Sequence, residues 1–390
     1  MSRYKVLVIG LGSTGSSILY NLVKMGITDV IAIDARCPGC GQTSRSSALI
    51  RLHYTHPILR DMAVYSWRFW RRFKEETGYE HEVFHETGIG FAGGDEHLET
   101  MKEVVYSLKR MGIDVELYDP DVFRREFYHD LDVSGLTGIA WEPESGYCDA
   151  YDSVQGFVNY AVEGGAEIRT KEKVVGFDYE GNEILRVKTD RNVYEVDYVV
   201  NASGVWTNEM LRSLGIELPI KLAREDVLYV SQSDKKILFG WGDFCLGFYG
   251  RPDGETRYLI GGLEPMYNGF EPEPGEYSYP PIDVVEDRLG RAAKRFPVLD
   301  NATPISSIYG FYDVTPDFQP IIGHDTKYRN LLHLVGLSGH GFKLSPAYGL
   351  TIAELIRYRE ARTFDISGLT LQRFSRREEQ HSKYKYGIIG

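Results

Sequence analysis

The sequence predicts an α/β protein with a doubly wound, Rossmann-like nucleotide-binding domain and a second, β-rich α+β domain. The N-terminal segment YKVLVIGLGSTGSSILYNLVKMGITDVIAIDAR has the pattern of a buried strand, a glycine turn, a helix and a second strand. Two later segments also pass from an apolar strand through a turn into a helix, at 199–211 and 334–356. Between them, residues 219–279 are dense in Tyr, Phe and Gly, which indicates strands and turns of the second domain.

The glycine turn of the first segment predicts a dinucleotide site. Gly10 permits the tight turn, Gly12 lets the backbone approach a pyrophosphate, and Gly15 lets the helix pack closely on the strand. Asp34 follows Gly10 by 24 residues, at the end of the second strand, where a carboxylate accepts hydrogen bonds from the adenosine ribose. Its negative charge disfavours a 2′-phosphate and therefore NADP.

The segment after Asp34 favours FAD over NAD. An NAD-binding chain would continue into another βαβ crossover, whereas RCPGCGQTSRSSALIRLHY (36–54) is a loop rich in Gly, Ser and Thr that leads into a helix start. Such a loop can wrap a second phosphate and the isoalloxazine ring. Further along, the strand at 199–201 ends in Ala202-Ser203-Gly204, where a second strand end can meet the cofactor.

The turn before the last long helix predicts an electron-rich partner. A helix start offers backbone N–H groups without intrahelical partners and the positive end of the helix dipole. The residues Gly339, His340, Gly341 and Lys343 stand at such a start, in the segment LVGLSGHGFKLSPAYGLTIAELI.

Composition limits the partners of the chain. At 390 residues, with 43% hydrophobic and 26% charged residues, the chain can hold two globular domains. Its net charge of −12 argues against nucleic acid as a main partner. No apolar run reaches membrane-spanning length and the first motif begins almost at once, so we expect a cytoplasmic protein. The nine Asn and six Gln, beside many charges, are typical of a thermophile.

The four cysteines favour a reducing compartment, but Cys37 and Cys40 form a C-x-x-C pair. A zinc site would need a second pair, and Cys148 and Cys245 are far apart with no histidine at ligand spacing. We therefore expect no metal site, and a loop pair that is free or forms a local disulfide.

Five motifs in order identify a family resemblance over residues 4 to about 360. They are VIGLGSTG, SSALIRLHY, VVNASGVWT, GFYDVTPDFQPIIG (310–323) and GLSGHGFKLSP (336–346). The series resembles the D-amino acid oxidase superfamily, and within it the sarcosine oxidase branch, with glycine oxidase, dimethylglycine dehydrogenase and the dye-linked L-proline dehydrogenases as relatives.

The resemblance implies roles for four candidate catalytic residues. The turn before the last helix would face the flavin edge on which negative charge develops, with the helix dipole stabilising the reduced ring. Lys343 and Arg51 would hold the substrate carboxylate, as a point charge and a bidentate fork. Tyr249 would line the pocket, and His340 would form a wall beside the flavin, with a general base as its rival interpretation. The alternatives are a surface lysine for Lys343 and a structural salt bridge for Arg51.

Four positions depart from the family pattern. Gly310 replaces the cysteine that binds flavin covalently in monomeric sarcosine oxidases, which predicts non-covalent FAD. The lysine that helps those oxidases activate oxygen is missing from a strand that carries Arg257. Leu263 falls near an active-site histidine of the oxidases, and Ala48 replaces a second arginine. The missing lysine predicts a dehydrogenase and not an efficient oxidase.

The predicted cofactor contacts come from the segments just described. They are Gly10, Gly12, Ser13, Thr14, Gly15, Asp34, Ala35, Arg36, Thr43, Ser44, Arg45, Ser47, Ala48, Leu49, Val174, Ala202, Ser203, Gly204, Trp206, Gly310, Gly339, His340, Gly341, Phe342 and Lys343. The predicted FAD-binding domain is discontinuous, from 1–80, 145–215 and 305–365, and the substrate domain takes 81–144 and 216–304. The extension 366–390 is expected to be a solvated helix and terminus, with a subunit contact as the alternative.

The predicted reaction is FAD-dependent oxidation of a secondary amino acid, by hydride transfer to flavin N5. L-Proline is the first substrate, and sarcosine, another N-methyl amino acid or glycine is the alternative. The electron acceptor is artificial or physiological, and a homo-oligomer is left open. The rival hypotheses are an FAD enzyme that oxidises a hydroxy acid or glycerol phosphate, and an FAD-stabilised, non-catalytic subunit of a larger complex.

Overall fold

The computed structural model describes residues 2–232, 235–264, 266–267, 275–277, 279 and 281–387. The remaining residues of the predicted substrate domain and C-terminal extension lie outside the described residues.

The helices are α1 (Ser13–Lys24), α2 (Pro57–Trp70), α3 (Phe73–Thr77), α4 (Asp95–Arg110), α5 (Pro120–Glu126), α6 (Ala150–Glu163), α7 (Thr207–Leu211), α8 (Ile282–Arg295), α9 (Gly341–Tyr358) and α10 (Gln372–Arg376). The strands are β1 (Ser2–Ile9), β2 (Val30–Asp34), β3 (Leu49–Ile50), β4 (Phe84–Glu86), β5 (Ile89–Gly93), β6 (Glu116–Tyr118), β7 (Gly138–Glu142), β8 (Gly146–Cys148), β9 (Glu167–Thr170), β10 (Val174–Glu180), β11 (Glu183–Thr189), β12 (Val193–Asn201), β13 (Lys221–Ser231), β14 (Gly240–Asp243), β15 (Phe248–Asp253), β16 (Arg257–Gly262), β17 (Gly275–Tyr277), β18 (Pro304–Val314), β19 (Ile321–His324) and β20 (Leu331–Val335).

The first sheet is built around β1. This strand runs parallel to β12 on one side and to β2 on the other, and β9 and β20 extend the parallel part beyond β2 and β12. The side chains of Val6, Leu7 and Val8 are fully buried, as expected for a parallel strand that is covered on both faces. The predicted βαβ unit and the α/β fold class are confirmed.

Helices α1, α6 and α9 cover the face of this sheet that carries Val6 and Val8. The close approach of α1 and α9 depends on Gly349, where a Cβ would come 2.3 Å from Ser17 Oγ. The Ser17 hydroxyl donates a hydrogen bond to the carbonyl of Ser345 over 2.8 Å. This packing fixes the start of α9 close to the glycine turn at the start of α1. Among the described residues, no helix has the length and apolar character that crossing a membrane requires.

The second sheet has the strand order β17-β18-β13-β16-β15-β14-β5-β7-β6. Its core is aromatic, with Trp241, Phe248 and Phe296 fully buried in one cluster that α8 helps to cover. Strand β18 pairs with β13 along most of its length. The predicted boundary at residue 305 therefore falls inside a strand of this second sheet. A short third sheet, β3-β8-β4, lies between the two large ones in the chain order.

The expectation of a solvated C-terminal extension holds only in part, because residues 375–379 are exposed while other residues of the extension are buried. Arg373 is only 1% exposed, and its guanidinium donates two hydrogen bonds to Asp317, over 2.8 and 2.9 Å. Tyr384 and Tyr386 are also buried. The basic pattern suggested a solvated segment because the carboxylate that pairs with Arg373 is 56 residues away in the chain.

Cys37 and Cys40 form a disulfide, which is one of the two states that the sequence left open. Their Cα atoms are 5.3 Å apart at the two ends of a tight turn. Between them, the N–H of Gly39 donates to the carbonyl of Leu11, so the loop is attached to the glycine turn of β1.

Candidate active site

The turn after β1 has no room for side chains at two of its glycines. Gly10 has a φ of +103°, and a Cβ there would lie 2.4 Å from the carbonyl oxygen of Ala202. A Cβ at Gly15 would lie 1.9 Å from the carbonyl oxygen of Gly10. Gly12 precedes α1 and places no side-chain cap on it. The first N–H of α1, that of Ser13, donates to the Thr43 hydroxyl over 3.0 Å. The positive end of the helix dipole favours an anionic ligand at this start, as the sequence predicts.

The end of β2 presents a carboxylate that backbone groups orient. Asp34 accepts hydrogen bonds from the N–H groups of Leu11 and Arg36, both over 2.7 Å. Burial raises the pKa of Asp34, and the two backbone hydrogen bonds oppose that rise. The remaining lone pairs of the carboxylate are available to ligand hydroxyl groups.

A cavity of about 760 Å³ runs from this glycine turn to the start of α9. Eighteen of the predicted cofactor contacts line it: Gly10, Gly12, Ser13, Thr14, Asp34, Ala35, Arg36, Thr43, Arg45, Val174, Ala202, Ser203, Gly204, Trp206, Gly310, Gly339, Gly341 and Phe342. These residues are spread over some 330 positions of the chain, and the first sheet brings them to one opening.

Seven predicted contacts do not line this cavity. Gly15 packs α1 against β1, and Ser44, Ala48 and His340 line neither of the two cavities described here. Ala48 has a φ of +51°, a conformation that turns the chain between Ser47 and Leu49. The remaining three, Ser47, Leu49 and Lys343, line the second cavity.

Sequence reasoning missed several lining residues. Gln42 belongs to the loop that the sequence did single out, and its neighbour Thr43 was selected. Tyr312 belongs to the motif at 310–323, two residues after the predicted contact Gly310, whereas Glu225 carried no local signal, because pairing of β13 with β18 brings it to the cavity. That pairing sets Glu225 opposite Gly310 and Ala223 opposite Tyr312.

The start of α9 is held by a buried carboxylate. Asp313 accepts a hydrogen bond from the N–H of Gly336 over 2.7 Å, and its carbonyl accepts one from Ser338 over 3.1 Å. Burial raises the pKa of Asp313 to about 6. The two residues before His340 have positive φ values, +50° at Ser338 and +87° at Gly339. The turn thus aims the helix start at the first cavity.

A second, smaller cavity of about 60 Å³ adjoins the first. Tyr249, Tyr312 and Gly339 line both cavities. The walls of the smaller one are mainly apolar, and its cations are Arg51 and Lys343. The complete set is Ser47, Leu49, Arg51, Ile89, Phe91, Trp241, Gly242, Phe244, Tyr249, Leu263, Tyr312, Gly339 and Lys343.

Different contacts hold the two cationic side chains of the small cavity. Arg51 is buried, and its guanidinium lies 4.0 Å from the ring centre of Tyr54 and donates to the carbonyl of His53. Lys343 is partly buried and donates to the carbonyl of Gly339 over 2.9 Å. Burial, followed by the charge of Arg51, lowers the pKa of Lys343 well below its usual value. Two cations this close favour an anionic ligand between them.

His340 is fully buried, and its ring faces Tyr54. Its Nδ1 lies 3.3 Å from the Tyr54 hydroxyl, and the two ring centres are 5.5 Å apart. Burial lowers the pKa of His340, and the nearby charges of Lys343 and Arg51 lower it further. The side chain lines neither cavity, so its placement relative to the cavities favours neither the wall nor the general-base interpretation.

The structure also places three of the positions that depart from the oxidase pattern. The Arg257 side chain is 51% exposed and pairs with Asp253 over 2.7 Å. It therefore points to solvent and not into either cavity. Leu263 lines the small cavity, and Gly310 lines the large one, beside Gln42 and Arg45.

A model of the FAD-dependent oxidoreductase family matches residues 5–355. The chain belongs to this family. Its fold and its cofactor, FAD, therefore agree with the sequence prediction, and the protein is an enzyme. The cradle of glycines without room for a Cβ, the start of α1 and the oriented Asp34 all fit FAD.

Three proteins are similar to this chain over most of its length. Human peroxisomal sarcosine oxidase is 26% identical over 384 residues, which cover 95% of this chain and 96% of that protein. The crystal structure of L-proline dehydrogenase from P. horikoshii has a TM-score of 0.89 and 27% identity, over 97% of this chain and 100% of that one. Glycine oxidase from Bacillus cereus has a TM-score of 0.76 and 22% identity over 92% and 96%, a likeness of fold.

Proposed function

We propose that this enzyme oxidises a secondary amino acid, with L-proline as the first substrate and sarcosine or another N-methyl amino acid as the second. The observation that carries the proposal is the pair Arg51 and Lys343 in a small cavity that adjoins the cofactor cavity. FAD, when bound, supplies the two-electron acceptor. The likeness to L-proline dehydrogenase and to sarcosine oxidase supports a substrate of this class.

The small cavity suits a compact substrate. Its volume is about 60 Å³, against about 760 Å³ for the cofactor cavity, so it has room for a small ligand beside the large one. Phe91, Trp241 and Phe244 supply apolar surface for the aliphatic part of an amino acid. Glycerol phosphate would place its two hydroxyl groups against these rings, so the cavity favours an amino acid over glycerol phosphate.

The chain's own residues would bind and orient that substrate. Arg51 offers a planar guanidinium to the carboxylate, and Lys343 offers a point charge from the first turn of α9. A bound carboxylate would also favour the protonated form of Lys343, because an opposite charge raises a lysine pKa. The aromatic walls around Tyr249 exclude water from the reacting carbon. The positive end of α9 favours negative charge at its start.

Anaerobic bleaching of the flavin absorbance tests the proposal. The enzyme is mixed with L-proline, sarcosine, glycine, D-alanine or a hydroxy acid, each without oxygen or dye. We expect rapid bleaching with L-proline and slower bleaching with sarcosine. Bleaching only by the hydroxy acid would replace the proposal with that class of substrate. Bound flavin that none of them reduces would favour a non-catalytic subunit.

A further inference from the structure

The C-terminal extension returns to the small cavity. Tyr384 is 6% exposed, and its ring centre lies 4.5 Å from that of Phe244. Its hydroxyl lies 2.7 Å from Nε2 of His53, a residue 331 positions earlier in the chain. Since Phe244 lines the small cavity, Tyr384 packs against the outer side of the cavity wall.

His53 transmits this contact to a second wall residue. The imidazole is fully buried and stacks on Phe91, with ring centres 4.7 Å apart and planes 20° apart. The Tyr384 ring also lies stacked beside it, at 5.7 Å and 24°. Phe91 lines the small cavity, so the position of the His53 ring determines where this wall stands.

The backbone of His53 meets Arg51. The carbonyl of His53 accepts a hydrogen bond from Nη1 of Arg51, and the N–H of the intervening Leu52 donates to Glu142 Oε2 over 2.9 Å. Glu142 is fully buried, and its Oε1 lies 4.0 Å from His53 Nδ1. The segment that carries Arg51 is therefore fixed by Glu142 on one side and by Tyr384 on the other.

The extension is itself firmly attached next to this contact. The N–H of Gln380 donates to Asp317 over 3.0 Å, and the N–H of Lys383 donates to the Thr55 hydroxyl over 3.3 Å. Thr55 lies two residues after His53. The path of the extension thus follows the segment 51–55 before it ends.

We propose that Tyr384 is a positioning residue for Arg51, and that residues 378–384 complete the outer wall of the substrate cavity. The inference rests on the proposed function of Arg51. The phenol fixes the His53 ring, the His53 carbonyl fixes the guanidinium, and the guanidinium meets the substrate carboxylate. The packing of Tyr384 on Phe244 also limits how far the wall can move outward. The extension is therefore part of the substrate site and sets the size of ring that the site accepts.

The test compares Tyr384→Phe with Tyr386→Phe. Tyr386 is a buried tyrosine of the same extension that packs against Gly247, so its variant is the matched control. Acetate serves as an unreactive carboxylate, and its binding is followed by the change in flavin absorbance, together with FAD content, thermal unfolding, KM and kcat. We expect Tyr384→Phe to raise the acetate Kd and the KM roughly three- to ten-fold, since one hydrogen bond is lost. FAD content and unfolding should match those of Tyr386→Phe.

A second variant tests the wall. Tyr384→Ala should raise kcat/KM for the six-membered pipecolate relative to that for L-proline, because Phe244 loses its support. Equal acetate Kd values in Tyr384→Phe and wild type would overturn this inference and leave the proposed function standing. The same holds if Tyr384→Ala does not change the ratio of kcat/KM for pipecolate to kcat/KM for L-proline. Wild-type enzyme that binds no acetate and is reduced by no amino acid would overturn the proposed function, and this inference with it.

Discussion

The ammonium of Lys343 lies 2.9 Å from the carbonyl oxygen of Gly339, so it folds back over the turn that begins its own helix. A cation at a helix start is opposed by the helix dipole. Here the hydrogen bond to the Gly339 carbonyl offsets part of that cost, whereas repulsion by the charge of Arg51 adds to it. A substrate carboxylate would relieve the repulsion between the two cations, which makes Lys343 the side chain most sensitive to that ligand.

Replacing Lys343 should therefore separate substrate turnover from cofactor content. Lys343→Met keeps an unbranched side chain that is one atom shorter and removes the charge. A charge-assisted hydrogen bond contributes roughly 1.5–3 kcal/mol, or about ten- to a hundred-fold in KM or rate. FAD content should not change. Lys74→Met, at an exposed lysine of α3, is the control. Steady-state kinetics with unchanged constants in Lys343→Met would mean that this lysine has no part in substrate binding.

The glycine turn gives a prediction for cofactor affinity. A Cβ at Gly12 would come 3.1 Å from Thr43 Oγ1 and would stand before the start of α1. We expect Gly12→Ala to raise the FAD Kd about ten-fold or more, by displacing Thr43 and the pyrophosphate site. Gly290→Ala, in α8 with nothing near its Cβ position, should leave it unchanged. Titration of the FAD-depleted proteins with FAD, followed by fluorescence, measures both constants.

The sequence predicted the parts of the site in which a short segment carries its own pattern or matches a family motif. Gly10, Gly12 and Asp34 lie within 25 positions, and their spacing alone predicts a strand, a turn and a carboxylate at one sheet edge. Lys343 and Arg51 came from the family pattern. By contrast, Tyr384 reaches His53 across 331 positions, and no local pattern indicates that contact.

The buried residues of the extension could not be predicted for the same reason. A stretch rich in Arg, Lys and Glu is normally solvated, and the prediction followed that rule. Arg373 is buried because Asp317 is buried opposite it, and a buried ion pair depends on a partner that sequence spacing does not reveal. Glu225 reached the cofactor cavity in the same way, through the pairing of β13 with β18.

The buried Glu142 predicts a pH dependence of stability. Burial raises the pKa of Glu142 to about 7, above its ordinary 4.5, and the hydrogen bonds from Ser145 and Leu52 reduce the rise. A pKa that is higher in the folded state means that its contribution to stability is full below about pH 4.5 and is lost as the pH rises through about 7. The loss amounts to roughly 3 kcal/mol, at about 1.4 kcal/mol per pKa unit.

The variant Glu142→Gln removes this titration. Its free energy of unfolding in urea, measured between pH 5 and 8 with saturating FAD, should rise relative to that of wild type as the pH increases. Glu99→Gln, at an exposed carboxylate of α4, controls for a change of net charge. Curves for Glu142→Gln and wild type that run parallel over this range would show that Glu142 does not titrate there.

The mode of FAD attachment follows from Gly310. This residue lines the cofactor cavity, and glycine offers no nucleophile. The family pattern assigns to this position the cysteine that attaches flavin in monomeric sarcosine oxidases. We expect a yellow protein that releases intact FAD into the supernatant when it is precipitated by acid. Absorbance of the supernatant and chromatography of the released flavin measure the fraction. Flavin that stays in the pellet would contradict the prediction.

The reaction with oxygen should be slow compared with the reaction with a dye. Oxygen takes one electron first, to form superoxide, and a fixed positive charge near the flavin lowers that barrier electrostatically. The strand that supplies a lysine in the oxidases carries Arg257 here, and that side chain is 51% exposed and paired with Asp253. Lys343 lines the adjoining small cavity, and a bound carboxylate would neutralise its charge.

We therefore expect a dehydrogenase. The enzyme is reduced without oxygen by its best amino acid and then mixed with either aerated buffer or dichlorophenolindophenol. Reoxidation by the dye should be at least about ten-fold faster than by oxygen, which corresponds to about 1.4 kcal/mol in barrier height. Arg257→Gln should leave the oxygen rate unchanged, since its charge faces solvent. Hydrogen peroxide formed as fast as the dye is reduced would mean that another group activates oxygen, and that the enzyme is an oxidase.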